Sequence, residues 1–82
     1  MVSVLFFGRL KEELQCTQME LELSASVSVS QLKQLLVSSH ESWHGLLSDD
    51  QVLVAVDQVM ATLTTEVPVD AEVAFFPPVT GG

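Results

Sequence analysis

The sequence predicts an α+β domain, a mixed sheet of about five strands with one main helix and short helical turns packed on one face. Three observations carry that prediction. Apolar, β-branched runs occupy residues 2–7, 52–56 and 72–76. Strict alternation marks residues 18–24, where Met19, Leu21 and Leu23 alternate with Glu20 and Glu22. One strong helix start lies between these regions, at Ser28. The 82 residues are enough for one small domain.

The elements can be justified in chain order. Residues 2–7 read as a strand with both faces covered, ended by Gly8. Arg9 to Leu14 can close a short helical turn that places Leu10 and Leu14 on one side. Residues 18–24 are a half-exposed second strand. Ser28 and Gln31 then match a capping box, and Val27 and Leu32 occupy the two positions of a hydrophobic staple. Val29, Leu32, Leu35 and Leu36 form the apolar stripe of a helix running to about residue 39, with Ser30, Lys33 and Gln34 facing out. A second helical segment is expected from Glu41 to Leu47, folding Trp43, Leu46 and Leu47 over the core. Ser48-Asp49-Asp50 is a turn, and residues 52–56 are a strand. Asp57-Gln58 links that strand to Val59-Met60-Ala61-Thr62-Leu63 as a two-residue hairpin, although the favoured glycine is missing. Pro68 and Asp70 mark another turn. Residues 72–76 are the last strand, stopped by Pro77-Pro78, which cannot donate to a ladder. The long crossover through the helix lets the final strand lie beside the first. That is the ubiquitin-like β-grasp arrangement, with a domain over residues 1–76 and an extended tail over 77–82.

Composition narrows the function. Hydrophobic residues make up 48% of the chain, too many for a disordered protein. No apolar run approaches the roughly 20 residues of a membrane span. Three basic residues stand against eleven acidic ones, a formal net charge of −8. Nucleic acid is therefore not an expected partner, because phosphate contacts need Lys and Arg. Partners with basic surfaces would be steered toward such a domain. The first residues lack the basic region and cleavage site of a secretory signal. The lone cysteine, Cys16, cannot form an intramolecular disulfide. Both features point to a cytoplasmic setting.

Strand parity identifies a leftover face. Val2, Val4 and Phe6 share one side of the first strand, with Ser3, Leu5 and Phe7 on the other. In the last strand Val73 and Phe75 lie opposite Glu72, Ala74 and Phe76. Ser3 and Glu72 mark the outer side, so a helix that covers one sheet face leaves Leu5, Phe7 and Phe76 outside the main core. Large apolar groups clustered on adjacent strands suit a partner surface.

Phe76 leads into Pro77-Pro78-Val79-Thr80-Gly81-Gly82. The proline pair favours an extended path, so this tail could reach up to about 20 Å from the sheet. Gly81 and Gly82 ask least of a narrow channel. The carboxylate of Gly82 is then the chemical group on offer. It is a poor electrophile until an adenylyl group from ATP converts it to an acyl-phosphate anhydride. A sulfur donor could then displace AMP and leave a thiocarboxylate, or a lysine amine could attack and leave an isopeptide bond.

The ending Phe75-Phe76-Pro77-Pro78-Val79-Thr80-Gly81-Gly82 and the opening Val4-Leu5-Phe6-Phe7 resemble the MoaD family, the sulfur-carrier small subunits of molybdopterin synthase. Length, element order and both ends agree. The resemblance implies a heterotetramer of two small and two MoaE-like large subunits, with the catalytic side chains on the large subunit. The tail from Pro77 to Gly81 would thread into that subunit. Thiocarboxylated Gly82 would supply dithiolene sulfur to cyclic pyranopterin monophosphate. The resemblance also implies a MoeB-like adenylyltransferase that uses ATP to activate Gly82, and a sulfur donor system. No cofactor or metal is expected on this chain itself. The family's partner contacts fall on Phe7, Lys11, Met60 and Phe76. Lys11 stands where the family often has arginine, and lysine does not repeat arginine's bidentate geometry. The thiamine-pathway carrier ThiS and the ubiquitin-related modifiers share the fold and the Gly-Gly end. A modifier role, or sulfur delivery to thiamine or tRNA thiolation, is the alternative.

Other candidates read as structural. Cys16 has no basic cluster to activate it. His40 and His44 are four residues apart but lack a third ligand. Trp43 reads as packing, and Asp49-Asp50 as a solvated turn.

Overall fold

Strands from opposite ends of the sequence form the centre of the sheet. The computed structural model describes residues 1–49 and 51–77. In chain order the elements are β1 (Val2–Phe6), α1 (Gly8–Leu14), β2 (Gln18–Leu21), β3 (Val27–Ser28), α2 (Val29–Ser39), a 3₁₀ turn (Glu41–Trp43), α3 (His44–Leu47), β4 (Leu53–Val56), β5 (Val59–Met60), β6 (Glu66–Val67) and β7 (Glu72–Phe76). The main sheet runs β2-β1-β7-β4-β5. Its β1–β7 pair is parallel, and the β1–β2, β4–β7 and β4–β5 pairs are antiparallel. This is the mixed α+β arrangement that the element order predicts.

The helix α2 starts where its capping chemistry demands. The Ser28 hydroxyl accepts from the Gln31 amide N–H at 3.1 Å, and the Ser28 amide donates to Gln31 Oε1 at 2.9 Å. The next two amides are satisfied from outside the helix: Val29 N–H donates to the Thr65 carbonyl and Ser30 N–H to that of Leu63. The first-turn donors that a helix leaves orphaned are thus met by a side chain and by the 63–65 loop. That loop also explains a departure from expectation, because it leaves Ser30 and Lys33 half-buried rather than fully facing solvent.

Val29, Leu32 and Leu36 bury the inner stripe of α2 against Val2, Val4, Phe6, Val54, Val56, Val73 and Phe75. Leu35 is a correction: it is exposed, and Val37 packs half-buried against the core instead. The apolar stripe is centred on Val29–Leu32–Leu36, and Leu35 falls on the flank beyond it. Trp43 and Leu47 are buried as expected, and Leu46 is half-buried against the core. Trp43 meets Phe6 edge-on, with centroids 5.3 Å apart, and Phe6 stacks on Phe75 at 5.8 Å.

Three strand expectations need correction. The first strand is not covered on both faces: Val2, Val4 and Phe6 are buried, but Ser3 and Leu5 are only half-buried and Phe7 is exposed. β2 ends at Leu21, and the strand after the hairpin ends at Met60 instead of Leu63. A threonine turn stops the latter, with Thr62 N–H donating to Thr65 Oγ1 and Thr65 N–H to the Thr62 carbonyl. The hairpin itself forms at Asp57-Gln58 without glycine, with φ of 50° and 69°. Positive φ at both central residues is the type I′ signature. The small β3–β6 ladder, pairing Val27 with Val67 and Ser28 with Glu66, lies outside the expected elements.

Candidate functional site

The outer sheet face can be built from register alone. Phe6 pairs with Phe75, and the Phe7 amide donates to the Phe75 carbonyl, so the β1–β7 ladder runs on to set Phe7 beside Phe76. Across β7, Phe76 pairs with Leu53. Phe7, Phe76 and Leu53 therefore form one row, at the end of the sheet where the tail leaves. One row further from the tail, Leu5, Ala74, Ala55 and Met60 form a second row. A third row holds Ser3 and Glu72, with Glu20 opposite Ser3 on β2. Asp57 closes this end, its carboxylate accepting from the Glu72 amide at 2.9 Å. The face thus grades from large apolar groups at the tail to carboxylates at the far end.

The sequence expectation that Leu5, Phe7 and Phe76 lie outside the main core agrees with this geometry. Phe7 and Phe76 stack with centroids 5.0 Å apart and planes 10° apart. Phe7 is 43% exposed and Met60 62% exposed. Lys11 is exposed on α1, four residues past Phe7. Leu53, at 38% exposed, joins the row although sequence reasoning did not single it out. Its signal was available in the alternation of 52–56, where Leu53 and Ala55 share a side, but β4 carries no polar residue to mark which side faces out.

The tail begins on a seat made by Gly8. This glycine has φ of +59°, and a Cβ placed on it would lie 2.9 Å from Pro77 Cγ. Backbone conformation and close approach both call for glycine here. Pro77 also borders a cleft of about 240 Å³ with Arg9, Leu10, Leu46 and Val52. Pro78, Val79, Thr80, Gly81 and Gly82 lie outside the described residues, as does Asp50.

The remaining candidates take structural places. His40 stacks on Trp43 at 3.9 Å, and its Nδ1 lies 3.4 Å from the Leu36 carbonyl. His44 is exposed. No group of three or more metal-ligating side chains occurs among the described residues. Cys16 is half-buried, its thiol 3.6 Å from the Gln18 carbonyl. No helix of the described residues is long and apolar enough to cross a membrane.

Comparison with known proteins agrees with this arrangement. The chain is 34% identical to the molybdopterin synthase sulfur carrier subunit of Escherichia coli K12, over all of both chains. It is 33% identical to the subunit of that name from Haemophilus influenzae, again over all of both chains. Among solved structures it is similar to small archaeal modifier protein 1 of Haloferax volcanii, with a TM-score of 0.83 at 23% identity over 99% of this chain and 98% of that one. The corresponding protein of Methanosarcina acetivorans gives a TM-score of 0.77 at 18% identity, over 99% and 95%. At such identities these structures speak for the fold, which is ubiquitin-like. The ThiS family model matches residues 4–82, and this chain belongs to the ThiS family.

Proposed function

We propose that this chain is the sulfur carrier subunit of a molybdopterin synthase and that Gly82 is its working group. The observation that carries the reading is full-length similarity to two sulfur carrier subunits. The geometry is consistent with it: an apolar face borders the root of the tail, so a partner that grips Phe7 and Phe76 also receives the segment beyond Pro77.

In this reading the Gly82 carboxylate attacks the α-phosphorus of ATP on a MoeB-like adenylyltransferase. Pyrophosphate leaves and an acyl adenylate forms. A sulfur nucleophile from the donor system then displaces AMP and leaves the thiocarboxylate. The loaded tail, Pro77 through Gly82, enters the large subunit of a heterotetramer and gives up its sulfur to cyclic pyranopterin monophosphate. Phe7, Lys11, Met60 and Phe76 are the proposed partner contacts. ATP belongs to the activating partner, and the catalytic side chains belong to the large subunit. The acidic balance and lone cysteine suit a cytoplasmic chain that meets basic protein surfaces.

Intact-mass analysis tests the reading. After incubation with activating enzyme, ATP and a sulfur donor, the chain should gain the mass of sulfur in place of one oxygen, and deletion of Gly81 and Gly82 should abolish the gain. Cys16→Ala should leave it unchanged. No sulfur-bearing species in a competent reaction would sink the proposal. Diglycine remnants on lysines of other proteins would favour a modifier instead.

A further inference from the structure

The chain carries few primary amines: those of Lys11, Lys33 and the amino terminus. The fold treats the three differently. The Met1 amine is held by the Asp70 carboxylate at 3.0 Å. It lies at the end of β1 away from the tail, and the extended path from Met1 to Phe7 covers about 20 Å. Lys33 is half-buried on α2, where it lines a cleft of about 590 Å³ with Ser30, Gln34, His44 and Leu63. Lys11 is exposed and follows Gly8 by three residues on α1. Gly8 is the seat of Pro77, since a Cβ built on it would lie 2.9 Å from Pro77 Cγ. One helical turn rises only about 5 Å, so Lys11 stands beside the root of the tail. Five residues follow Pro77. They can span at most about 17 Å, which is short of the Met1 amine and ample for Lys11. Val79-Thr80-Gly81-Gly82 also has the length of a β-turn, with two residues to which positive φ costs nothing.

We propose that Lys11 is a self-capture site: its Nζ takes the activated acyl group of Gly82 when the adenylate leaves the activating enzyme before sulfur arrives, closing an intramolecular isopeptide bond. The capture presupposes the function proposed above and adds the fate of the activated tail when sulfur is short. The Nζ lone pair attacks the acyl carbon. The bond from that carbon to the phosphate oxygen breaks, AMP leaves with the electron pair, and the amine gives its proton to water. Across adenylation and capture the chain loses one water and keeps no carboxylate to activate again. A short tether holds the amine at roughly millimolar effective concentration, and an amine is a stronger nucleophile than water. Sulfur forestalls the reaction, because a thiocarboxylate anion is a poor electrophile, as the carboxylate is. Supply of sulfur thus decides between a loaded chain and a closed one.

The test withholds sulfur. The full chain is incubated with the activating enzyme and ATP but no sulfur donor, and its intact mass is compared with a sample lacking ATP. A monomer lighter by one water should accumulate with ATP alone, in a fraction that does not change with chain concentration. Fragmentation should find Gly82 joined to Lys11. Lys33→Arg should keep the yield within about threefold of the parent, and Lys11→Arg should lower it by about tenfold or more, because a guanidinium stays charged and does not attack. Pyrophosphate release is followed in each variant, which separates loss of capture from loss of activation. Should Lys11→Arg be activated poorly, the joint mapped in the parent still decides. A joint at Lys33 or Met1, a covalent dimer in place of the lighter monomer, or a chain that releases pyrophosphate and then stays adenylated or returns to its parent mass would each overturn the capture. If that chain still gains sulfur once a donor is supplied, the sulfur-carrier reading stands. If the parent neither releases pyrophosphate nor gains sulfur, the function itself is wrong.

Discussion

The ring of Phe7 lies nearly parallel to that of Phe76, 5.0 Å between centroids, at the point where the sheet ends and the tail begins. One ring stands at the residue that follows β1 and the other at the last residue of β7. Only the parallel β1–β7 register brings them together.

Phe7→Ala and Phe76→Ala should each weaken the complex with the large subunit by tenfold or more, as truncated aromatic anchors do. The isolated domain should lose only about 1 kcal/mol, because the pair is stacked on an open face. Calorimetric titration and a denaturant melt on the same preparations separate the two effects. Full affinity in both variants would remove the outer face from the docking argument.

Ser28→Ala should cost about 1 kcal/mol of stability through loss of the side-chain half of the capping box. The cap lies on the helix side of the domain, so large-subunit affinity should not change. An unfolding midpoint equal to that of the parent would show that the 63–65 loop alone holds the first turn of α2.

Gln58→Gly should stabilise the domain by roughly 1 kcal/mol. Gln58 holds φ of 69°, a left-handed conformation that costs a residue with a Cβ about 1–2 kcal/mol. Part of that relief is offset by the greater freedom of glycine in the unfolded chain. Asp57 is left in place because its carboxylate holds the Glu72 amide. A lower unfolding midpoint would mean that the left-handed turn is not strained.

Trp43→Ala should destabilise the domain by about 3–5 kcal/mol, a large share of what a chain this small commands. The ring fills the space between His40 and Phe6, so its loss exposes both. As the chain's single tryptophan, Trp43 also reports the transition directly: its emission should shift to the red on unfolding. A melt within about 1 kcal/mol of the parent would show that the neighbours collapse into the vacated space.

Local signals made much of this molecule legible. The Ser28–Gln31 box announced α2 because both partners of the cap lie within one turn. The parity of Ser3 and Glu72 exposed the outer face because each strand carries one polar residue on that side. Leu35 misled because four apolar residues within eight allow more than one stripe, and only the sheet decides which is buried. The β3–β6 ladder escaped because two-residue strands have no period to read. Its partners, Val27 and Val67, come from opposite halves of the chain, and pairing over that distance leaves no local trace.

The placement of β7 between β1 and β4 has a consequence for synthesis. The strand that joins the two halves of the sheet is synthesised after the other four strands of that sheet. Until it emerges, β1 with β2 and β4 with β5 remain separate ribbons, and neither can complete the core under α2. A nascent chain cut short before Glu72 should therefore be an unfolded chain rather than a shortened domain, open to proteolysis.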